Sequence, residues 1–406
     1  MKNILIMCVI ALMISCGENG KLAPEPVLPT PVLPEETDFV FQNQTNGYSC
    51  YRIPAFVTAP NGHLLAFAEG RKNNCDDFGD VDLVMRKSTD GGTTWGAVEL
   101  LVDNGVYKVG DIAPVIDYSD TNHPDGRLFL FYNTATQYNV SSGGTRRVRE
   151  TWYITSTDNG LNWSTPTNIT TSVLRPNAPE YNPIYNFTPS WMGVNTQGHA
   201  IQLKNGTKKN RIYVAGNRSG TKANADDFTS YYSYGYYSDD HGQTWSIAAD
   251  VNMPGGNEST AAELSDGSII QAIRYQTLNN PVNQPANTKY KLIAISNDGG
   301  ESWGIPSFAT QLPDPICQGN LLDVKYEGEH IILFSNPASS SARTRMSISA
   351  SKDDGQTWPY KYLVDEGPSA YSAIYALDDN HIGLLYEKGN IGGIAFRKID
   401  IADILE

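Results

Sequence analysis

Residues 88–95 read STDGGTTW, and the pattern returns as STDNGLNW at 156–163, SDDHGQTW at 238–245, SNDGGESW at 296–303 and SKDDGQTW at 351–358. All five share S-x-D-x-G-x-x-W. With average composition, one chance match in a chain this long is roughly a one-in-hundreds event, so five matches mark a repeated unit. Successive starts lie 68, 82, 58 and 55 residues apart, as one supersecondary unit with variable loops would give. Ser and Asp side chains bond the backbone of their own turn, Gly takes the positive φ a turn needs, and Trp supplies a large anchor. Each box therefore reads as a hairpin turn on the outer rim of a β-sheet. Asp90, Asp158, Asp240, Asp298 and Asp353 are read as turn formers, facing away from any chemistry.

The flanks agree. VDLVMRKS before the first box and YKLIAIS before the fourth are β-rich, GRLFLFYN and RIYVAG read as further strands, and no long helical period occurs. Such units fit propeller blades better than a sandwich. Five boxes require at least five blades. The segment near 39–60 and the strands at 380–400 remain for a sixth, closed by pairing of the two ends. The expected fold is an all-β, six-bladed β-propeller over residues 39–406.

The chain has 406 residues, 44 acidic and 30 basic, with a net charge of −14. No Lys/Arg-rich run is present, which argues against nucleic-acid binding. The bulk field repels anions, so an anion site has to be a local cluster of Arg. Residues 1–16 read as an export signal, with Lys2 followed by the apolar stretch Ile4 to Ile14. Cys16, between Ser15 and Gly17, resembles the lipid-modified cysteine of a bacterial lipoprotein; free secretion is the alternative. Residues 17–38 hold KLAPEPVLPTPVLPEE, an extended Pro-rich linker. The expected location is the periplasm or the cell surface of a bacterium. Beyond Cys8 and Cys16, three Cys remain: Cys50, Cys75 and Cys317. Cys50 and Cys75 both flank motifs and could bridge; three buried thiols is the plainer expectation. With no CxxC or HExxH pattern, no metal site is expected.

Asp boxes also occur in propellers that are not enzymes, so function has to come from unusual residues at strand ends. SCYRIP at 49–54 places Arg52 in a short apolar segment. Pro54 should end that strand or sit at its edge. A buried guanidinium needs an anion, either a neighbouring carboxylate or a ligand. AFAEGRKNNCDDFGD carries Glu69, Arg71, Asp76 and Asp77; GGNESTAAELSDGSIIQAIR carries Glu258 and Arg274. SNPASSSARTRMSIS carries Arg343 and Arg345, and GPSAYSAIYALDDNHIGLLYE carries Tyr371 and Glu387.

The order Y-R-I-P, E-G-R with a later Asp, N-E-S-T, an Arg before a strand, A-Y-S and L-Y-E, woven among Asp boxes, resembles the bacterial exo-sialidase (neuraminidase) family over residues 45–390. The resemblance implies a six-bladed propeller and assigns roles. Arg52, Arg274 and Arg343 match three arginines that hold the carboxylate of sialic acid. Glu387 matches the Glu that steadies Arg52. Tyr371 and Glu258 match the nucleophile and its base, and a neutral Tyr suits an anomeric carbon that carries a carboxylate. Asp77 matches the general acid/base; Asp76 competes, although the spacing from Arg71 favours Asp77. Asp80 and Asp82 read as loop and strand-surface acids, and Arg345 as surface or strand pairing. Arg71 and Asp111 match contacts to the sugar's ring hydroxyl and N-acyl side, with a turn-capping carboxylate the alternative for Asp111. The family's Gly-rich run is altered: 191–203 reads WMGVNTQGHAIQL, with Ala200 for a Gly, beside an unusual loop at 171–197 containing Trp191.

The implied activity is retaining exo-α-sialidase hydrolysis of sialylated glycans by a monomer without cofactor. The alternatives are a hydrolase of a related 2-keto sugar acid (Kdn or Kdo), a trans-sialidase, and a non-catalytic propeller that binds sialoglycans.

Overall fold

Val, Ile, Leu, Phe and Tyr dominate short segments of this chain, and among the described residues these segments form 24 strands. The computed structural model describes residues 39–139, 145–174, 193–195, 197–219, 228–229, 231–277, 288–389 and 392–406. The export signal, the Pro-rich linker, Cys16 and Trp191 lie outside the described residues.

After β1 (Phe39–Gln42), the strands fall into antiparallel groups. The first group is β2 (Cys50–Thr58), β3 (Leu64–Arg71), β4 (Val81–Ser88) and β5 (Glu99–Val102). The second is β6 (Lys108–Asp117), β7 (Arg127–Asn139), β8 (Thr145–Ser156) and β9 (Thr167–Asn168), followed by the short helix α1 (Thr170–Val173). The third is β10 (Gly193–Asn195), β11 (Ile201–Gln202), β12 (Ile212–Ser219), β13 (Tyr231–Ser238) and β14 (Ser246–Ile247). The fourth is β15 (Gly256–Glu263), β16 (Ile269–Tyr275), β17 (Tyr290–Ser296) and β18 (Ser307–Pro313). The fifth is β19 (Asn320–Tyr326), β20 (Glu329–Pro337), β21 (Thr344–Ser351) and the first half of β22 (Tyr360–Ala376).

β22 changes partner along its length: Pro368 faces Thr344 of β21, and Ser369 faces Lys388 of β23 (His381–Lys388). Its second half opens a sixth group, continued by β23 and β24 (Gly393–Asp400) and completed by β1, which pairs with β24. A five-residue helix, α2 (Ile401–Leu405), ends the chain. The two chain ends therefore pair as expected, with one difference. The segment at 50–58 belongs to the first group, and only 39–42 joins the sixth.

Each box sits in the hairpin between the last two strands of its group. In the first, Ser88 Oγ donates to Asp90 Oδ1 at 2.8 Å and accepts from Gly92 N–H at 2.9 Å. Asp90 Oδ1 also accepts from Thr94 N–H at 2.9 Å. The same three bonds recur in the other four boxes. Gly92 has φ +92°, and a Cβ there would stand 2.1 Å from the Phe396 ring, so the turn and the packing both demand glycine.

The box Trp residues tie each group to the one before it. Trp163 meets Phe67 edge-on, Trp245 meets Phe129 and Phe131, and Trp303 meets Tyr213. Trp358 is buried in one apolar cluster with Ile270 and Ala272 of the fourth group. Trp95 of the first group meets Phe396 of the last. With β22 shared by the fifth and sixth groups, these contacts run through the series and return to its start.

Candidate active site

The first strands of four groups share an irregularity at one end: two consecutive residues oppose one on the neighbouring strand. Ile53 and Pro54 of β2 lie between the pairs Arg52↔Glu69 and Ala55↔Phe67. Asp111 and Ile112 of β6 lie between Gly110↔Asn133 and Ala113↔Phe131. Asn257 and Glu258 of β15 lie between Gly256↔Tyr275 and Ser259↔Ile273. Ala370 and Tyr371 of β22 lie between Ser369↔Lys388 and Ser372↔Tyr386. Such bulges break the strict alternation of faces and re-aim side chains. Pro54 accordingly neither ends its strand nor caps it: β2 continues to Thr58, because a bulge on an edge strand tolerates a missing N–H.

The Tyr371 hydroxyl donates to Glu258, whose Oε1 and Oε2 lie 2.7 and 2.9 Å away, and accepts from Arg274 Nη1 at 3.0 Å. Arg274 Nη1 also meets Glu258 Oε2 at 2.9 Å, and its Nη2 donates to Gln276 Oε1 at 2.8 Å. Burial, reinforced by the Glu258 charge, pushes the Tyr371 phenol well above its usual range. At neutral pH it is therefore a neutral hydroxyl facing a ready acceptor.

Arg52 stands over the Tyr371 ring at 5.2 Å and Arg343 at 5.7 Å, so Arg52, Arg274 and Arg343 converge on one side chain. Arg52 is held by Glu387 through Nε at 3.1 Å and Nη2 at 3.2 Å. Glu387 Oε1 also accepts the Ile53 N–H at 2.9 Å. Arg343 Nη2 donates to the Ile316 carbonyl at 2.9 Å, and it has no carboxylate partner among the described residues.

Asp77 lies on the loop between β3 and β4. Its Oδ1 is 3.1 Å from Arg71 Nη1 and 3.4 Å from Arg52 Nη1, and its side chain is 66% exposed. Burial would raise its pKa, but the cations of Arg71, Lys108 and Arg52 outweigh this and hold it at about 2. Asp76 turns the other way, binding Asn74 within the exposed loop.

Behind Arg71 lies a network anchored on Glu69, a fully buried carboxylate. Glu69 accepts from Arg71 at 2.6 Å, from Lys108 Nζ at 2.9 Å and from the Asp111 N–H at 3.1 Å. Burial opposes its ionisation, and Lys108 and Arg71 prevail, so its pKa is lowered. Asp111 accepts from Arg149 at 2.9 Å and Gln197 at 3.0 Å. Asp111 is thus a buried strand residue in the left-handed region (φ 57°), not a turn-capping loop carboxylate. Lys108, Arg149, Gln197 and Gln276 join the site without having been singled out from sequence. Glu69, inside a quoted motif, carries no role there; the signal for it is a carboxylate two residues before an Arg on an apolar strand.

These groups surround a cleft of about 340 Å³ walled by Arg71, Asp77, Asp111, Glu258, Arg274 and Tyr371. The cleft gathers cations within a chain of net charge −14. Of the nine candidate residues, six line the cleft; Arg52 and Arg343 stand over the Tyr371 ring, and Glu387 holds Arg52.

Two expectations are corrected. Cys50 and Cys75 are joined as a disulfide, and among the described residues only Cys317 is a free buried thiol. Asp82 is buried, not a strand-surface acid: it accepts from Tyr48 Oη at 2.8 Å and pairs with Lys72 at 3.1 Å. Asp117, Asp120 and His241 form a cluster of possible metal-ligating type away from the cleft. Arg127 lies 3.7 Å from Asp120, and Asp117 already accepts from Ser119, Gln202 and His241, so protein donors answer its charge. Arg345 pairs with Glu366, half exposed, outside the cleft.

The family profile described as a BNR repeat-like domain matches residues 62–386. A sialidase of Micromonospora viridifaciens is 32% identical over 381 residues, which is 89% of this chain and 53% of that protein. The chain belongs to the sialidase family. A sialidase of Bacteroides fragilis is 26% identical across 88% of this chain and 63% of its own length. This family member thus spans between half and two-thirds of the length of these two relatives. Among solved structures, a Hadza microbial sialidase superposes with a TM-score of 0.71 at 25% identity, over 88% of this chain and 67% of that one.

Proposed function

We propose that the protein is a retaining exo-α-sialidase, a glycoside hydrolase that removes terminal sialic acid from glycans. The observation that carries this reading is the buried Tyr371 hydroxyl, bonded to Glu258 and ringed by three arginines. The strand groups are then six blades of a propeller, supported by the Trp contacts that return from the last group to the first.

In this reading the substrate carboxylate lies on Arg52, Arg274 and Arg343. Arg343 has no carboxylate partner among the described residues, and the other two hold their own carboxylate partners. Tyr371 attacks the anomeric carbon as Glu258 takes its proton; a neutral nucleophile avoids repulsion from the adjacent substrate carboxylate. Asp77 protonates the leaving oxygen and later activates water. In the empty cleft Asp77 is an anion. A substrate carboxylate arriving on Arg52 competes for a cation that holds Asp77 down, which raises Asp77 toward its protonated form. Arg71 and the Asp111 network face the remaining ring substituents. The Cys50–Cys75 disulfide suits an oxidising compartment, in keeping with an export signal and a lipid on Cys16.

The test is release of 4-methylumbelliferone from the α-glycosides of N-acetylneuraminic acid and of Kdn, with Tyr371→Phe beside the wild type. Turnover of the first, lost in the variant, is expected. Turnover of only the Kdn glycoside moves the substrate and keeps the mechanism. Transfer to added lactose in preference to water would make it a trans-sialidase. A folded protein that binds sialoglycans and turns over neither would be a binding propeller. Near wild-type turnover by Tyr371→Phe removes Tyr371 as nucleophile.

A further inference from the structure

The loop that carries Asp77 is held at a few points: Asp77 itself on Arg71 and Arg52, Phe78 against Lys108 and Arg149, and its ends and apex. Residues 72–80 join β3 to β4, and most of them are exposed. Its ends are clasped by Lys72, whose N–H donates to the Asp80 carbonyl at 3.0 Å and whose Nζ meets Asp80 Oδ1 at 2.9 Å. Within the loop, Asn74 Nδ2 donates to Asp76 Oδ2 at 2.8 Å and Asn74 Oδ1 accepts the Asp76 N–H at 2.9 Å. The apex is tied by the bond from Cys75 to Cys50, with Cα atoms 5.3 Å apart, and by Arg71 Nη1 donating to the Cys75 carbonyl at 2.5 Å.

The attachment points are matched to the site. Cys50 precedes Arg52 by two residues on β2, so the two side chains leave the same face of the strand. Cys75 precedes Asp77 by two residues on the loop. The disulfide therefore lies alongside the Arg52–Asp77 contact and sets how far the loop can move from the strand that bears Arg52. Cys50 is buried and fixed opposite Arg71 in the β2–β3 ladder, so the tether has a rigid end.

We propose that the Cys50–Cys75 disulfide is a positioning device for the acid/base step, and that reducing it selectively disables proton transfer to the leaving group. The proposal rests on the reading of Asp77 as acid/base. Reduction by dithiothreitol transfers two electrons and two protons to the cystine, giving two thiols and the cyclic disulfide of the reagent. Cys75 is exposed, so the reagent can reach it, whereas Cys317 is buried and unbonded. Arg52, Tyr371, Glu258 and Arg274 sit on strands and keep their places.

The experiment compares kcat/KM on sialyllactose, whose leaving group needs a proton, with kcat/KM on the 4-methylumbelliferyl glycoside, whose leaving group does not. The proteins are the wild type, the Cys50→Ser/Cys75→Ser double variant and Asp77→Asn. Displacing a catalytic group by about 1 Å costs on the order of 100-fold, so the double variant should lose about 10- to 100-fold on sialyllactose and under roughly threefold on the aryl glycoside. Folded wild type assayed in dithiothreitol should show the same split, which keeps the test alive if the double variant fails to fold. Equal losses on both substrates, or none on either, overturn the positioning role. Equal losses in Asp77→Asn overturn the Asp77 assignment itself, whatever the cysteines do.

Discussion

Replacing Glu69 by Gln tests whether the cleft rests on a buried charge. The side chain is fully buried and neutralises Arg71 and Lys108, themselves almost wholly buried, at 2.6 and 2.9 Å. Gln keeps the shape and removes the charge, leaving two cations short of an anion. Breaking a buried ion pair from one side costs about 3–5 kcal/mol. At about 2.1 cal/mol/K per residue, a unit spanning residues 38–406 unfolds with an entropy near 0.8 kcal/mol/K, so the melting temperature should fall by roughly 4–6 °C at pH 7.

The pH dependence gives a second reading of the same charge. The folded Glu69 pKa is lowered, so its contribution is fully present above the unfolded carboxylate value of about 4.3. That contribution is lost as pH falls through the folded value. The gap between wild type and Glu69→Gln should be widest at neutral pH and close in acid, as followed by circular-dichroism melts at pH 7 and stepwise below pH 4.5. A variant that melts within a degree of wild type at pH 7, or a gap that does not narrow in acid, would refute the reasoning.

Arg343→Ala should lower kcat/KM by about 10- to 100-fold through a raised KM, since a hydrogen bond to a charged group contributes about 1.5–3 kcal/mol; Arg345→Ala, which removes only the exposed pair with Glu366, should leave kinetics unchanged. An unchanged KM in Arg343→Ala takes it out of the carboxylate site. With Asp77 held at about 2 in the free enzyme, its protonated fraction shrinks as pH rises, so kcat/KM on sialyllactose should already be declining between pH 4 and 5. Asp77→Asn should flatten that limb, and a wild-type profile that is level from pH 4 to 7 would contradict the charge environment described.

What could be read from sequence divides along a physical line. The boxes were legible because Ser, Asp, Gly and Trp act within eight residues, and the logic of the turn is local. Arg52 could be questioned from sequence, since a cation in an apolar strand needs an anion. Its protein partner lies 335 residues away, and only the family resemblance pointed to Glu387. Lys108 and Arg149 were passed over because a cation in a strand announces nothing until its partner is known. Gln197 enters the cleft through Gly198 (φ +116°), where a Cβ would stand 2.0 Å from Asn320, a constraint set by a strand of another group. Pro54 misled because a bulge depends on the register of two strands, which no single strand reveals.

The bulges also explain how the site bears its own strain. Ile53 and Asp111 both hold left-handed backbone (φ 58° and 57°), which costs about 1–3 kcal/mol each and is rare for a β-branched residue. The same device supports both. Glu387, on the second strand of the sixth group, accepts the Ile53 N–H while binding Arg52. Glu69, on the second strand of the first group, accepts the Asp111 N–H while binding Arg71 and Lys108. In each case one buried carboxylate fixes a cation and stabilises the strained turn of the next group's first strand. The β15 bulge lacks this device: its Asn257 and Glu258 are not in the left-handed region, and Asn217 donates only to the Asn257 side-chain oxygen, at 3.2 Å. The charge of the cleft and the backbone that aims its side chains are therefore coupled. A substitution such as Glu69→Gln, which still offers an amide oxygen to the Asp111 N–H, should disturb the cations more than the backbone, whereas Glu69→Ala should release both. Losing Asp111's left-handed geometry would turn its carboxylate from the cleft, so Glu69→Ala should weaken substrate binding beyond the loss seen in Glu69→Gln, and equal KM values for the two variants would separate charge from backbone here.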